Sequence, residues 1–128
     1  MRIVLREPGA LHELRTHEPL VSSELLALES HRTLDRLRLA GAVTAAETAI
    51  QRRAVSDWLE TIDLVLLRPP VLSRAAEPLP TALGTLDAVH LASALVWRDR
   101  IGEPLLVATH DVALGTAAQA FGFEVHGL

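Results

Sequence analysis

Short aliphatic runs that recur between longer segments of helical period constrain this chain more than any other feature. Pro19-Leu20-Val21-Ser22, the run Ile62 to Leu67, residues 104 to 108 and residues 123 to 126 have strand length, and helical patterns lie between them. The helical segments are about 9 to 16, 24 to 40, 45 to 60, 70 to 76, 85 to 97 and 112 to 121. Ser22 or Ser23 is placed to cap the second of these, Gly41 ends it and Thr44 caps the next. That next helix carries Ala46, Ile50, Ala54 and Trp58 on one side. The almost unbroken aliphatics from Ile62 to Leu67 predict a strand covered on both faces. Residues 1 to 6 are too short to assign. Strands separated by helices imply an α/β fold, a mostly parallel sheet with helices on both sides.

At 128 residues and 49% hydrophobic, residues 1–128 form a single domain with a real core. There is no cysteine, which excludes disulfides and thiolate metal sites. A formal charge of −4 argues against a protein that coats nucleic acid non-specifically, although a local Arg face can still grip phosphates. The longest apolar runs fall well short of the roughly 20 residues of a membrane span. Arg2, Arg6 and Glu7 break up any secretion signal, so the expected location is cytoplasmic.

In parallel sheets ligands bind beyond the carboxyl ends of the strands. Three acids satisfy that rule: Glu29 in the helix after the strand ending near Ser22, Asp87 in the first turn of its helix, and Asp111 just past Leu105-Leu106-Val107-Ala108. Clustered carboxylates repel unless a cation sits among them, and oxygen ligands alone select Mg²⁺ or Mn²⁺. Each acid also has a purely structural explanation. Asp87 complements its helix dipole, Asp111 is an N-cap, and Glu29 pairs with Arg32, a contact of about 0.2–0.5 kcal/mol.

Ser22-Ser23-Glu24-Leu25 with Glu29 and Arg32, then Thr85-Leu86-Asp87-Ala88-Val89-His90-Leu91-Ala92, then Thr109-His110-Asp111 with Ala117, Ala118 and Phe121-Gly122-Phe123, resembles PIN-domain toxins of the VapC type. The likeness runs over nearly the whole chain. It implies a three-layer α/β/α fold and a Mg²⁺-dependent endoribonuclease that cuts RNA phosphodiester bonds. It also implies a cognate VapB-like antitoxin that blocks the site, and a toxin homodimer. By this resemblance Glu29, Asp87 and Asp111 are the acidic metal-site residues, and Thr109 is the hydroxyl that orients a ligand or water.

The front of the chain departs from the family pattern. Members open with a central apolar strand ending in Asp, followed after one residue by Ser or Thr. Here Met1 to Gly9 already resembles the helix and turn that come next, and no Asp precedes Asp35. The first central strand and the fourth carboxylate are therefore expected to be missing. Two explanations compete: a sequence that starts late, which we favour, and a natural remnant that rebuilds its centre with residues 1 to 6. Loss of a central strand removes several buried aliphatic side chains at about 1.5–3 kcal/mol each. With one acid fewer, the expectation is weak metal binding and little or no cleavage. The alternative function is a catalytically inactive PIN-fold remnant that binds an antitoxin or RNA.

Arg32 and Arg36 share the helix face of Glu29, which suits RNA phosphates as well as a solvated surface. His90, one turn after Asp87, reads as a satisfied, partly buried histidine. The His110 ring is expected on the side of the strand end opposite to Asp111. His12, His17, His31 and His126 show no ligand spacing. An unrelated phosphatase or receiver-like α/β domain would need a phosphate-accepting acid after the first strand, and none is visible.

Overall fold

A computed structural model describes Arg2–Val4 as backbone and residues 20–128 with their side chains. The described elements are β1 (Arg2–Val4), β2 (Leu20–Ser23), α1 (Leu25–Leu39), α2 (Ala45–Leu59), β3 (Asp63–Val65), α3 (Pro69–Ala75), α4 (Thr85–Ile101), β4 (Leu106–Ala108), α5 (Val112–Ala120) and β5 (Glu124–His126). The expected helix at 9 to 16 lies outside the described residues. All strands pair in parallel, in the order β3-β2-β1-β4-β5.

Ile3 stands opposite Val21 on one side and Val107 on the other, so β1 is the centre of the sheet. Arg2–Val4, a segment too short to assign from sequence, thus forms the central strand, which the β-branched pair Ile3-Val4 suits. The chain runs outward from β1 through β2 to β3, then returns to place β4 on the other side of β1 and β5 beyond. The direction reverses between β1 and β4, and their carboxyl ends flank the crevice where such sheets take ligands.

Two expectations about packing need correction. The aliphatic run at 62 to 67 pairs only over Asp63–Val65, at the sheet edge, with Asp63 and Leu66 exposed. An edge strand has one neighbour, and Pro69 opens α3 soon after, so the run is not covered on both faces. In α2, Ala46 and Ala54 are exposed, Ile50 is 71% exposed and only Trp58 of the predicted stripe is half-buried. The helix packs chiefly on α1 and buries Thr48. What fixes its start is chemistry local to the first turn. Thr44 Oγ1 accepts from the Glu47 N–H at 3.1 Å, and the Glu47 carboxylate accepts from the Thr44 N–H at 3.3 Å, a reciprocal capping box.

At the start of α1 the N-cap is Glu24, whose side chain makes no cap; the Ser23 hydroxyl accepts from the Leu25 N–H at 3.2 Å instead. α4 is the core helix. Every residue from Ala88 to Leu95 is buried, as expected for a helix covered all round by α3, α5 and β2. It runs to Ile101, four residues past the predicted end, and stops at Gly102, whose φ of +64° is the left-handed cap that favours glycine. Its Leu91 and Leu95 form the core together with Val21, Val107, Leu114 and Phe123. Among the described residues no helix is long and apolar enough to cross a membrane.

Candidate active site

Just beyond β4, Thr109 is 1% exposed and its N–H donates to the His126 carbonyl at 3.0 Å, tying the strand end to β5. The Thr109 hydroxyl accepts from the Asp111 N–H at 3.1 Å. Asp111 is the N-cap of α5, and its Oδ1 accepts from the Leu114 N–H at 2.9 Å. The capping role that the sequence offers for Asp111 is therefore real, and it fixes this carboxylate beside the switch-point crevice. The His110 ring is bonded through Nδ1 to the Gly127 carbonyl at 2.7 Å.

Asp87 is the third residue of α4 and half-buried. His90 follows one turn later on the same face. Its ring is wholly buried rather than partly so, and Nε2 meets Oε1 of Glu29 from the middle of α1. Glu29 is itself only 16% exposed. This contact sets Glu29 against the helix that also carries Asp87. Sequence reasoning misses it because the partners are 61 positions apart and on different helices. The available signal is a histidine at i+3 from an acid inside an apolar helix, which must find a partner when buried.

Arg32 and Arg36 line a groove of about 290 Å³ together with Leu28, Glu29 and Leu86. Arg32 is paired with Asp35 at 3.0 Å, and Asp35 also takes Arg38 at 2.8 Å. The Arg38 hydrogen bond, followed by the charges of Arg38 and Arg32, holds the Asp35 carboxyl below its ordinary value against desolvation. Arg36 donates to the Thr33 hydroxyl at 3.1 Å. Of the two arginines expected to meet phosphate, Arg32 already has a carboxylate for a partner and Arg36 a neutral hydroxyl.

The carboxylates of Glu29, Asp87 and Asp111 with the Thr109 hydroxyl make an all-oxygen donor set, whose chemistry fits a hard divalent cation. Their arrangement is not that of a closed site. Among the described residues no group of three or more His, Asp or Glu side chains stands close enough together to hold a metal ion. Glu29 rests on His90, and Asp111 on the first turn of α5.

No protein-family model matches the chain. It is similar to a curated relative, Ribonuclease VapC46 of Mycobacterium tuberculosis (strain ATCC 25618 / H37Rv), at 36% identity over 129 residues that cover 98% of this chain and 88% of the relative. Identity at that level, sustained along almost the full length of both proteins, reflects common descent and not a shared local motif: the chain belongs to the VapC family of PIN-domain toxins.

Proposed function

We propose that this chain is a Mg²⁺- or Mn²⁺-dependent endoribonuclease of the cytoplasm, a toxin that cuts RNA phosphodiester bonds and is neutralised by a cognate VapB-like antitoxin. In this reading the fold is the three-layer α/β/α arrangement of its family and the toxin is a homodimer. The observation that carries the proposal is the meeting of Glu29, through His90, with the helix that also carries Asp87, beside a crevice flanked by Asp111.

Each part of the chain has a physical task. Glu29, Asp87 and Asp111 concentrate negative charge where a hard cation would be held. Such an ion, when bound, polarises a phosphodiester and makes bound water a stronger nucleophile. The Thr109 hydroxyl, anchored by the Asp111 N–H, has a remaining donor with which to orient a water or phosphate oxygen. Arg36, on the rim of the groove beside Glu29, offers a planar fork to an RNA phosphate.

Incubation with RNA and Mn²⁺ or Mg²⁺, with and without chelator, tests the proposal. The expected outcome is slow cleavage that needs the ion and falls by about 10²-fold or more in Glu29→Gln and Asp87→Asn. Cleavage that survives both substitutions sinks the assignment. A folded chain that binds RNA or antitoxin and never cleaves points instead to an inactive remnant.

A further inference from the structure

We infer that the open edge of β3, with the groove beside it, is a docking site for an extended segment of a partner protein that carries an aliphatic residue and has acids at one end. The inference is independent of the proposed nuclease chemistry. Val96 and Arg100, which help to form the groove, lie about 14 and 20 Å further along the α4 axis than Asp87.

The backbone supplies the first observation. β3 closes one side of the sheet, and among the described residues no strand lies beyond it. The Glu24 N–H donates to the Val65 carbonyl at 3.0 Å, so the polar groups of Val65 face β2. Those of Leu64 point the other way, because successive residues of a strand turn their N–H and C=O to opposite sides. The Leu66 carbonyl accepts from the Arg68 N–H at 2.9 Å, where the chain turns away from the sheet. Leu64 thus offers one N–H and one C=O, the pair of groups that an added strand engages.

Side chains supply the second. A groove of about 260 Å³ adjoins this edge, formed by Leu64, Leu66, Val71 and Val96 together with Arg68 and Arg100. Leu66 is 47% exposed, so the aliphatic surface is not closed over. Both arginines are exposed, and neither guanidinium has a partner among the described residues. Arg74 of α3 and Arg98 of α4, by contrast, are already engaged, by Glu77 and by the Phe121 carbonyl. Two free forks in a chain of net charge −4 make a local positive place that complements carboxylates. Asp63, exposed at the amino end of β3, has the opposite sign and sets the direction: the acids of the segment lie toward Arg68 and away from Asp63. RNA would suit the arginines, but it leaves the strand edge and the aliphatic walls unused.

The test uses the full chain with two fluorescein-labelled peptides, Thr-Val-Thr-Val-Glu-Glu and its Gln-Gln counterpart, and a single-stranded RNA of equal length. Fluorescence anisotropy reads affinity, and ¹H–¹⁵N spectra read exchange of the Leu64 and Val65 amides. The acidic peptide is expected to bind and, at saturation, to slow exchange of the Leu64 amide about 10-fold or more. The Val65 amide faces β2 and should change little. Arg68→Gln and Arg100→Gln should each weaken the acidic peptide about 2–5-fold and leave the weaker Gln-Gln peptide unaffected. Circular dichroism establishes that both variants fold; the Arg68 side chain makes no cap to α3, so its loss leaves that helix start intact. An acidic peptide that does not bind at about 1 mM, or that binds without protecting Leu64, overturns the inference. Equal affinity for the two peptides, or for wild type and the arginine variants, does the same. RNA that binds through the same arginines in place of the peptide makes this a nucleic-acid surface, and Leu64 protection that grows with protein concentration alone puts a second copy of the chain on the edge; either result overturns the peptide assignment.

Discussion

Asp111 caps α5 and is proposed as an ion ligand, and one pair of substitutions separates the two roles. Its Oδ1 accepts from the N–H of Leu114, a residue with no exposure at the third position of α5. Asp111→Ala leaves that donor without its partner, a loss of about 0.5–2 kcal/mol for an N-cap. It also removes a negative charge from the helix N-terminus, worth about 0.3–1 kcal/mol. The sum, about 1–2 kcal/mol after allowing for some overlap, lowers Tm by roughly 3–8 °C in a chain of this size. Asp111→Asn keeps the acceptor oxygen and ranks beside Asp as an N-cap, so its Tm should fall by no more than about 2 °C. As ion ligands the order changes, because the neutral amide is a much poorer partner for a hard cation. Thermal melts of wild type, Ala and Asn, read beside Mn²⁺-dependent RNA cleavage, should therefore give an Asn variant that is stable and inactive. An Asn variant as active as wild type would refute the ligand role and leave Asp111 as a cap. An Ala variant as stable as wild type would refute the cap.

Other perturbations probe the frame around the site. Gly127 has φ of +106°, and a Cβ there would lie 2.5 Å from the Thr109 carbonyl oxygen. Gly127→Ala should cost about 1–3 kcal/mol and speed exchange of the Thr109 amide, which donates to His126; unchanged exchange would contradict the close approach. Arg98 donates to the Phe121 carbonyl at 2.7 Å and lies 4.1 Å from the centre of the Phe123 ring. Arg98→Ala should lose about 2 kcal/mol and Arg98→Lys about 1 kcal/mol by urea unfolding, because an ammonium keeps the charge and loses the planar fork. For Asp35 the folded pKa is lowered from 3.8, so the stability it contributes is present above that value and fades as pH falls through the folded one. The unfolding midpoint of Asp35→Asn should accordingly show a flatter decline below pH 3.8 than that of wild type.

What could be read from sequence follows the range of the forces involved. α2, α3 and α5 are legible because their starts are written in adjacent residues: Thr44 with Glu47, Pro69-Pro70, and Asp111 with Leu114. The acids too were legible as positions, since the alternation of strands and helices fixes which end of the sheet each one occupies. Burial was not, because it depends on what arrives from elsewhere. The same aliphatic density describes 62 to 67 at an exposed edge and Leu91 to Leu95 in the core, and only the strand order tells them apart. The Ile50 stripe of α2 has helical period, yet Ile50 is exposed, because among the described residues the helix packs chiefly on α1. The same limit applies at the site. His90 within its own helix looks like any histidine in an apolar stretch, and it becomes informative only when α1 lays Glu29 against it. Local chemistry thus places each functional group on its element, and long-range packing decides which of them meet. For this chain the decisive meeting is between α1 and α4, where Glu29 reaches the buried His90 ring.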